Sequence, residues 1–264
     1  MLTPSAISDD LTSFFRARQI STAMTEAVTV ELTEPAEFAH KRLEDARFDQ
    51  APVMREGRPV GWVATVGLTH DRNIKSVMTS LENCTLVSSE ASIATTLRLL
   101  LKDRFLFTVS DDGLSGFIVH SDMDRHAVRS YLYLLISGIE MLLAEIVKSA
   151  VPEERIARAI YGNMKKAYRE AHADNQETNP AEYLYIGDLV RLFSQTSYAR
   201  DQNLWSDSSK HMLLEVKAFR NSVMHPVRSI AAVENIAKAA NLPIWANEVA
   251  DQLRTIIESI NIKR

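Results

Sequence analysis

Two short runs hold side chains whose types and spacing can do chemistry. The first is Phe219-Arg220-Asn221-Ser222-Val223-Met224-His225-Pro226. An arginine five residues before a histidine occurs nowhere else in the chain. The pair suits phosphodiester cleavage by an adjacent 2′-hydroxyl. That hydroxyl must lose a proton and the leaving oxygen must gain one, and histidine can do either near neutral pH. Charge builds on the phosphoryl oxygens, and a permanently charged guanidinium stabilises it. Asn221, next in sequence, and Glu140, on the helix expected over 127–149, are further polar candidates. The plainer alternative has Arg220 and His225 satisfying carbonyls at a helix C-terminus, an end that favours basic residues. The second run is Gly116-Phe117-Ile118-Val119-His120-Ser121-Asp122. A carboxylate such as Asp122 can accept two ligand hydroxyls through charge-assisted bonds. His120 and Ser121 are adjacent donors in reach of a phosphate. Here the alternative is a cap, because Ser-Asp-Met-Asp precedes an apolar run.

Composition narrows the classes these runs can serve. The 264 residues suit one large domain or two modest ones. A single cysteine, Cys84, excludes a disulfide core and argues against a thiolate zinc site. The net charge is −4, with −5 over residues 1–126 and +1 over 127–264, so neither half is a basic nucleic-acid clamp. The first residues lack a basic start followed by an apolar run, so no signal peptide is expected. The most apolar stretch, Tyr131–Val147, contains Glu140 and Glu145 and reads as a buried helix, not a membrane span. A cytoplasmic location without membrane attachment follows as the expectation.

The elements that must position the second run form an internal repeat. Ala23-Met24-Thr25 recurs as Val77-Met78-Thr79, Ala51-Pro52-Val53 as Phe107-Thr108-Val109, and Gly61-Trp62-Val63 as Gly116-Phe117-Ile118. The spacing between copies runs from 54 to 56 residues by this alignment. Each copy reads strand, helix, strand, turn, strand. In the first, a strand at 28–32 precedes a helix opened by Pro35 and running to Ala46. In the second, the helix is 91–102, with leucines 97, 100 and 101 on one face. The turns are Arg55-Glu56-Gly57-Arg58 and Asp111-Asp112-Gly113.

Residues 20–130 thus resemble a tandem pair of CBS motifs, or Bateman module. The resemblance implies two βαββα units packed sheet to sheet and a cleft for an adenine nucleotide of the AMP, ADP or ATP kind, as a regulatory ligand. The family's sites end in Gly, two apolar residues, Ser or Thr, two residues and Asp. In the second copy Asp122 is present and Val119 replaces the hydroxyl residue. In the first copy, Gly61 to Gly67, both key positions are lost. The resemblance therefore assigns ligand binding to Asp122, Val119, His120 and Ser121, and leaves open a module that serves only as a dimerisation scaffold.

After Arg125 the strand signals vanish. A helix is expected over 127–149, with Leu132, Leu135, Ile136, Ile139, Leu142, Leu143 and Ile146 on one face. Ser137, Glu140 and Ala144 lie on a narrow polar stripe beside it. Further helices are expected over 152–171, 182–197, 206–224, 229–240 and 243–260, the fourth capped by Ser206-Asp207 and ended by Pro226. This half resembles the HEPN domains, helical bundles whose signature is Arg, then Asn, Asp or His, then three residues and His. Arg220, Asn221 and His225 match it. The resemblance implies a homodimer in which two motif histidines meet as acid and base.

The fold class expected is α+β with two domains: a CBS pair over 1–126, preceded by a short N-terminal helix, and an all-α bundle over 127–264. The expected function is an adenine-nucleotide-regulated, metal-independent endoribonuclease acting on RNA as a homodimer in stress response, a toxin system or phage defence. A cognate antitoxin or regulatory protein would be its partner. The alternative is a non-catalytic nucleotide sensor whose helical half mediates dimerisation or partner binding.

Overall fold

The computed structural model describes residues 13–69, 72–174, 178–225 and 227–262. The stretch before residue 13, where a short helix is expected, lies outside them. The chain divides into two compact units, one over Phe15–Val128 and the other holding the chain from Arg129 onward.

The first unit is mixed α/β. Its first repeat contains β1 (Thr22–Ala23), β2 (Val30–Glu31), α1 (Ala36–Asp45), β3 (Gln50–Arg55) and β4 (Arg58–Ala64). A single turn, α2 (Ile74–Val77), leads to the second repeat: β5 (Thr79–Ser80), β6 (Thr85–Ser88), α3 (Ile93–Lys102), β7 (Phe105–Ser110) and β8 (Gly113–Val119). The strands form two four-stranded sheets, β2-β3-β4-β5 and β1-β8-β7-β6. Each sheet therefore takes an outer strand from the other repeat. Within each, a parallel pair (β2 with β3, β6 with β7) is joined through a helix, as parallel strands require, and a hairpin follows. The hairpin turns need left-handed backbone, supplied by Glu56 (φ 52°) and Gly57 (φ 73°) in one and Gly113 (φ 102°) in the other.

Strand exchange explains the glycine that opens each Gly-apolar-apolar run. A Cβ on Gly61 would lie 2.2 Å from the Thr79 carbonyl oxygen, and one on Gly116 would lie 2.3 Å from that of Thr22. No side chain fits there without moving the exchanged strand.

Register corrects the repeat alignment. Thr22 pairs with Phe117 and Thr79 with Trp62, so the equivalent threonines stand 57 residues apart. Val30 pairs with Val53 and Val87 with Thr108, which keeps 57 through β2 and β6 and makes Val53 the counterpart of Thr108, 55 residues on. The change falls at the helix–strand connection. Four residues, 46–49, follow α1, with Arg47 in the left-handed region, whereas only Asp103 and Arg104 follow α3. The matched Met-Thr tripeptides compared neighbours of the true equivalents.

Two cores fill this unit. The first repeat buries an aliphatic set including Val30, Ala39, Leu43, Val53, Val63 and Ile74. An aromatic cluster centres on Phe105, which stacks on Trp62 at 5.2 Å and on Phe117 at 5.0 Å between ring centroids. On α3, Ile93, Leu97 and Leu100 are buried at helical spacing, capped by the Ser92 hydroxyl accepting from the Thr95 N–H. Leu101 instead faces outward, 45% exposed.

The second unit is helical. Its elements are α4 (His126–Ala150, whose first residues belong to the first unit), α5 (Glu153–Ala159), α6 (Gly162–Ala173), α7 (Ile186–Phe193), α8 (Asp207–Met224) and α9 (Val233–Ile262). By length and composition α4 is apolar enough to cross a membrane, yet all seven residues of its expected apolar face are buried in the protein. Three expectations are corrected. The helix expected over 152–171 breaks at Gly162, which sits at φ 59°. The one expected over 182–197 shortens to α7, preceded by a tight turn at Pro180–Tyr183. The last two merge into α9 with Pro243 inside it. Proline removes one amide from the ladder. Here a continuous buried stripe, Ala239, Leu242, Ala246, Val249, Leu253 and Ile256, runs past it and carries the helix through.

Candidate functional site

The turn after β8 is built around Asp122. β8 ends at Val119 and a 3-10 turn spans His120–Asp124. The Asp122 side chain folds back so that Oδ2 accepts the Val119 N–H at 2.8 Å, while Oδ1 accepts the Arg125 Nε–H at 2.7 Å. Arg125 also donates to the Thr22 hydroxyl at 2.6 Å and to the Ser21 carbonyl at 3.4 Å. One guanidinium thereby ties the end of the second repeat to the first strand of the first repeat. The Asp122 side chain is only 7% exposed, against 40% for Arg125. Burial pushes the Asp122 carboxyl above its ordinary range, and the Val119 amide and the Arg125 charge pull the other way. Each carboxylate oxygen keeps a further lone pair.

The neighbouring residues have separate tasks. The His120 ring bonds the Leu100 carbonyl through Nε2 at 2.7 Å and ties the turn to the last turns of α3. Val119 packs its side chain against the aromatic cluster, and Ser121 is exposed. Below the turn, a row of hydroxyls joins Ser21, Thr108 and Ser115, with Ser21 Oγ and Thr108 Oγ1 2.9 Å apart.

Comparison with known families bears on the first repeat of this unit. Residues 17–65 match the CBS domain. Solved structures similar to the chain include a CBS domain-containing protein of unknown function from Bacillus anthracis (16% identity, TM-score 0.39, covering 43% of this chain and 93% of that one). They also include the CBS-pair protein CBSX2 of Arabidopsis thaliana (19%, 0.38, 45% and 94%). A third is the CBS domain of a bacterial CNNM/CorC family Mg2+ transporter in complex with ATP (20%, 0.38, 44% and 88%). A comparison with curated proteins finds no match. Within this unit, the position equivalent to Asp122 in the first repeat is Gly67, so the carboxylate occurs in one repeat alone.

In the helical unit the structure brings Arg220 and Glu140 together. Arg220 on α8 donates from Nε to Glu140 Oε1 on α4 at 2.9 Å, with side chains 26% and 23% exposed. Asn221 and His225 are exposed. The His225 N–H closes the last helical bond to the Asn221 carbonyl, and the helix ends at Met224. Pro226 lies outside the described residues. The carbonyls at this end are held by Arg129 of α4, which donates to those of Ser222 at 3.0 Å and Arg228 at 2.6 Å. Capping of the helix end thus falls to a cation from another helix, and Arg220 is turned to a carboxylate. Among the described residues, no three His, Cys, Asp or Glu side chains group as metal ligands.

Sequence reasoning missed Arg125 and Arg129. Arg125 stands three residues after Asp122, a spacing at which side chains on a helical turn meet, and that was the available signal. Arg129 carried none, because its partners lie more than ninety residues away along the chain.

Proposed function

We propose that the chain is a nucleotide-responsive regulatory protein, in which the CBS pair takes up an adenine nucleotide of the AMP, ADP or ATP class beside Asp122 and the helical unit carries the response to a partner or a second copy. The observation that supports this most is the placement of Arg125. It closes the Asp122 carboxylate, joins the two repeats, and immediately precedes α4, the helix that enters the second unit. A ribose offering two hydroxyls to Asp122 competes with the guanidinium for the same oxygens. Uptake then releases Arg125 from Ser21 and Thr22 and frees the start of α4. Ligand binding and the state of that helix become coupled through one side chain, which is what a population shift between two states requires. Val119, His120 and Ser121 line the same turn, with Ser121 exposed to a phosphate.

Thermal unfolding of the full chain tests this. A ligand bound only by the folded form raises the melting temperature with concentration. At least one of AMP, ADP and ATP is expected to do so in the native chain and to do so less in Asp122→Asn. Identical melting with and without all three contradicts the reading.

A second reading, a metal-independent endoribonuclease of the HEPN type acting as a homodimer, is supported by one feature. Exposed Asn221 and His225 follow, one and five residues on, an arginine already oriented by Glu140. A guanidinium bonded through Nε still carries terminal N–H groups that face an anion. On this reading Arg220 stabilises the phosphoryl charge, and the His225 imidazoles of two copies act as base and acid. A cytoplasmic role with RNA as substrate and an antitoxin or regulator as partner follows from it. RNA incubated with EDTA and the native chain should gain 2′,3′-cyclic phosphate ends that His225→Ala does not produce. Equal cleavage by both proteins removes this reading.

A further inference from the structure

A separate cavity in the helical unit has no part in either reading. It lies between α7, the segment over 199–205 and the N-terminal half of α8, with a volume of about 470 Å³. This falls within the range of small-molecule sites, about 300–1,000 Å³. Its floor is apolar. Phe193 and Trp205, 1% and 4% exposed, meet edge to face with ring centroids 5.0 Å apart, and Leu213 adds an aliphatic wall. Its rim is cationic: Arg191, Arg200, Lys210 and Lys217 line it against a single carboxylate, Asp207.

Two of these cations are held in place by the protein. Arg191 pairs with Asp188 at 2.8 Å, and Arg200 donates to the Gln195 carbonyl at 3.1 Å. Lys210 and Lys217 are exposed, and among the described residues neither side chain has a hydrogen bond or an ion pair. Seven residues apart on α8, they stand on one face about 10 Å from each other. An apolar floor under two uncompensated ammonium groups matches a ligand with the complementary halves. The apolar body leaves water on the Phe193–Leu213 floor, and the anionic head takes the lysines.

We propose that this cavity binds a small amphipathic organic anion, an aromatic or acyl body carrying a phosphate-, sulfonate- or carboxylate-type head. Its limited volume favours a compact molecule over a peptide or nucleic-acid strand. The assignment is independent of the Asp122 turn, which lies in the other unit.

Anilinonaphthalene sulfonate, an aromatic body with one anionic head, is the probe. Titrated into the full chain and followed by its fluorescence, it is expected to saturate at one site per chain. The double variant Lys210→Glu, Lys217→Glu should raise its Kd at least tenfold, and Lys148→Glu, outside the cavity, should leave it unchanged. Gly187→Leu gives a second handle. A Cβ there meets only Lys217 Cε at 3.7 Å, so the cavity wall leaves room to begin a side chain at this position. That variant should melt no lower than the native chain and should lose the site. Probe binding that persists in both the double variant and Gly187→Leu overturns the proposal. So does probe displaced by an RNA oligonucleotide but not by small aromatic or acyl phosphates.

Discussion

The two repeats of the CBS region share a scaffold and differ in chemistry. In both, a 3-10 turn follows the last strand and is tied back to the end of its helix. Thr65 Oγ1 donates to the Phe48 carbonyl at 2.6 Å, and His120 bonds the Leu100 carbonyl at 2.7 Å. In both, a glycine admits the strand from the other repeat. Two residues past the tether they part: the first repeat has Gly67 and the second has Asp122, buried and bridged to Arg125. They part again at the start of the central strand, where Phe105 sits at the heart of the aromatic cluster and its counterpart is Gln50. Gln50 Oε1 is buried with no hydrogen-bond partner among the described residues. Features that follow from reciprocal strand exchange are duplicated, because each sheet imposes the same demand. The Asp122 carboxylate is not duplicated, because nothing in the exchange requires it.

The shared part should break symmetrically and hardest. Gly61→Val and Gly116→Val each push a side chain into a carbonyl about 2 Å from the new Cβ. Each should lower stability by at least about 3 kcal/mol in chemical denaturation. A large loss in one repeat and little in the other would show that only one sheet depends on the exchanged strand.

Unlike positions should respond with opposite signs. Phe105→Ala removes a side chain stacked on two rings and should cost about 3–5 kcal/mol. Gln50→Leu removes an unpaired buried oxygen and should stabilise by about 1 kcal/mol.

The turns sharpen the contrast at lower energy. Asp122→Ala leaves the Val119 amide and the Arg125 guanidinium without their acceptor and should cost about 2 kcal/mol. At the equivalent Gly67, a Cβ meets nothing within 4 Å, so Gly67→Ala should stabilise by about 0.5 kcal/mol. The pH dependence has a definite sign. With its pKa raised above 3.8, folded Asp122 keeps its proton to higher pH than the unfolded chain does. Its contribution therefore favours folding below that ordinary value and declines as pH rises through the raised one. Asp122→Asn should remove this slope from a stability–pH curve, and an unchanged slope would place its origin elsewhere.

The smallest effect is kinetic. Burial and the nearby Asp103 charge push the Cys84 thiol up to about 11, and its S–H donates to the Ser80 carbonyl at 3.2 Å. Alkylation of the folded chain at pH 8 should run far slower than that of the unfolded chain. Equal rates would mean that the Thr79–Cys84 segment opens readily.

Much of this arrangement was legible in the residues. Local signals, such as Gly57 and Gly113 in their turns, Ser92 and Ser206 as caps and the seven buried residues of α4, act within a few positions and leave a pattern. Glu140 and Arg220 were each marked by a polar stripe or a motif, and their pairing follows from helices that meet eighty residues apart. Register was misread because the extra residues after α1 shift the copies without altering their composition. Pro243 reads as a helix boundary because its penalty is local, whereas the buried stripe that outweighs it comes from packing. Arg129 left no trace, since what it satisfies is backbone from a distant helix end.

Calorimetric titration of the intact chain with AMP, ADP and ATP, in parallel with Asp122→Asn, bears on all of this at once. One carboxylate for two repeats implies a single saturable site per chain for at least one of these nucleotides, weakened tenfold or more by the substitution. Two equal sites, or binding indifferent to Asp122→Asn, or a folded chain that takes up none of the three, would contradict it.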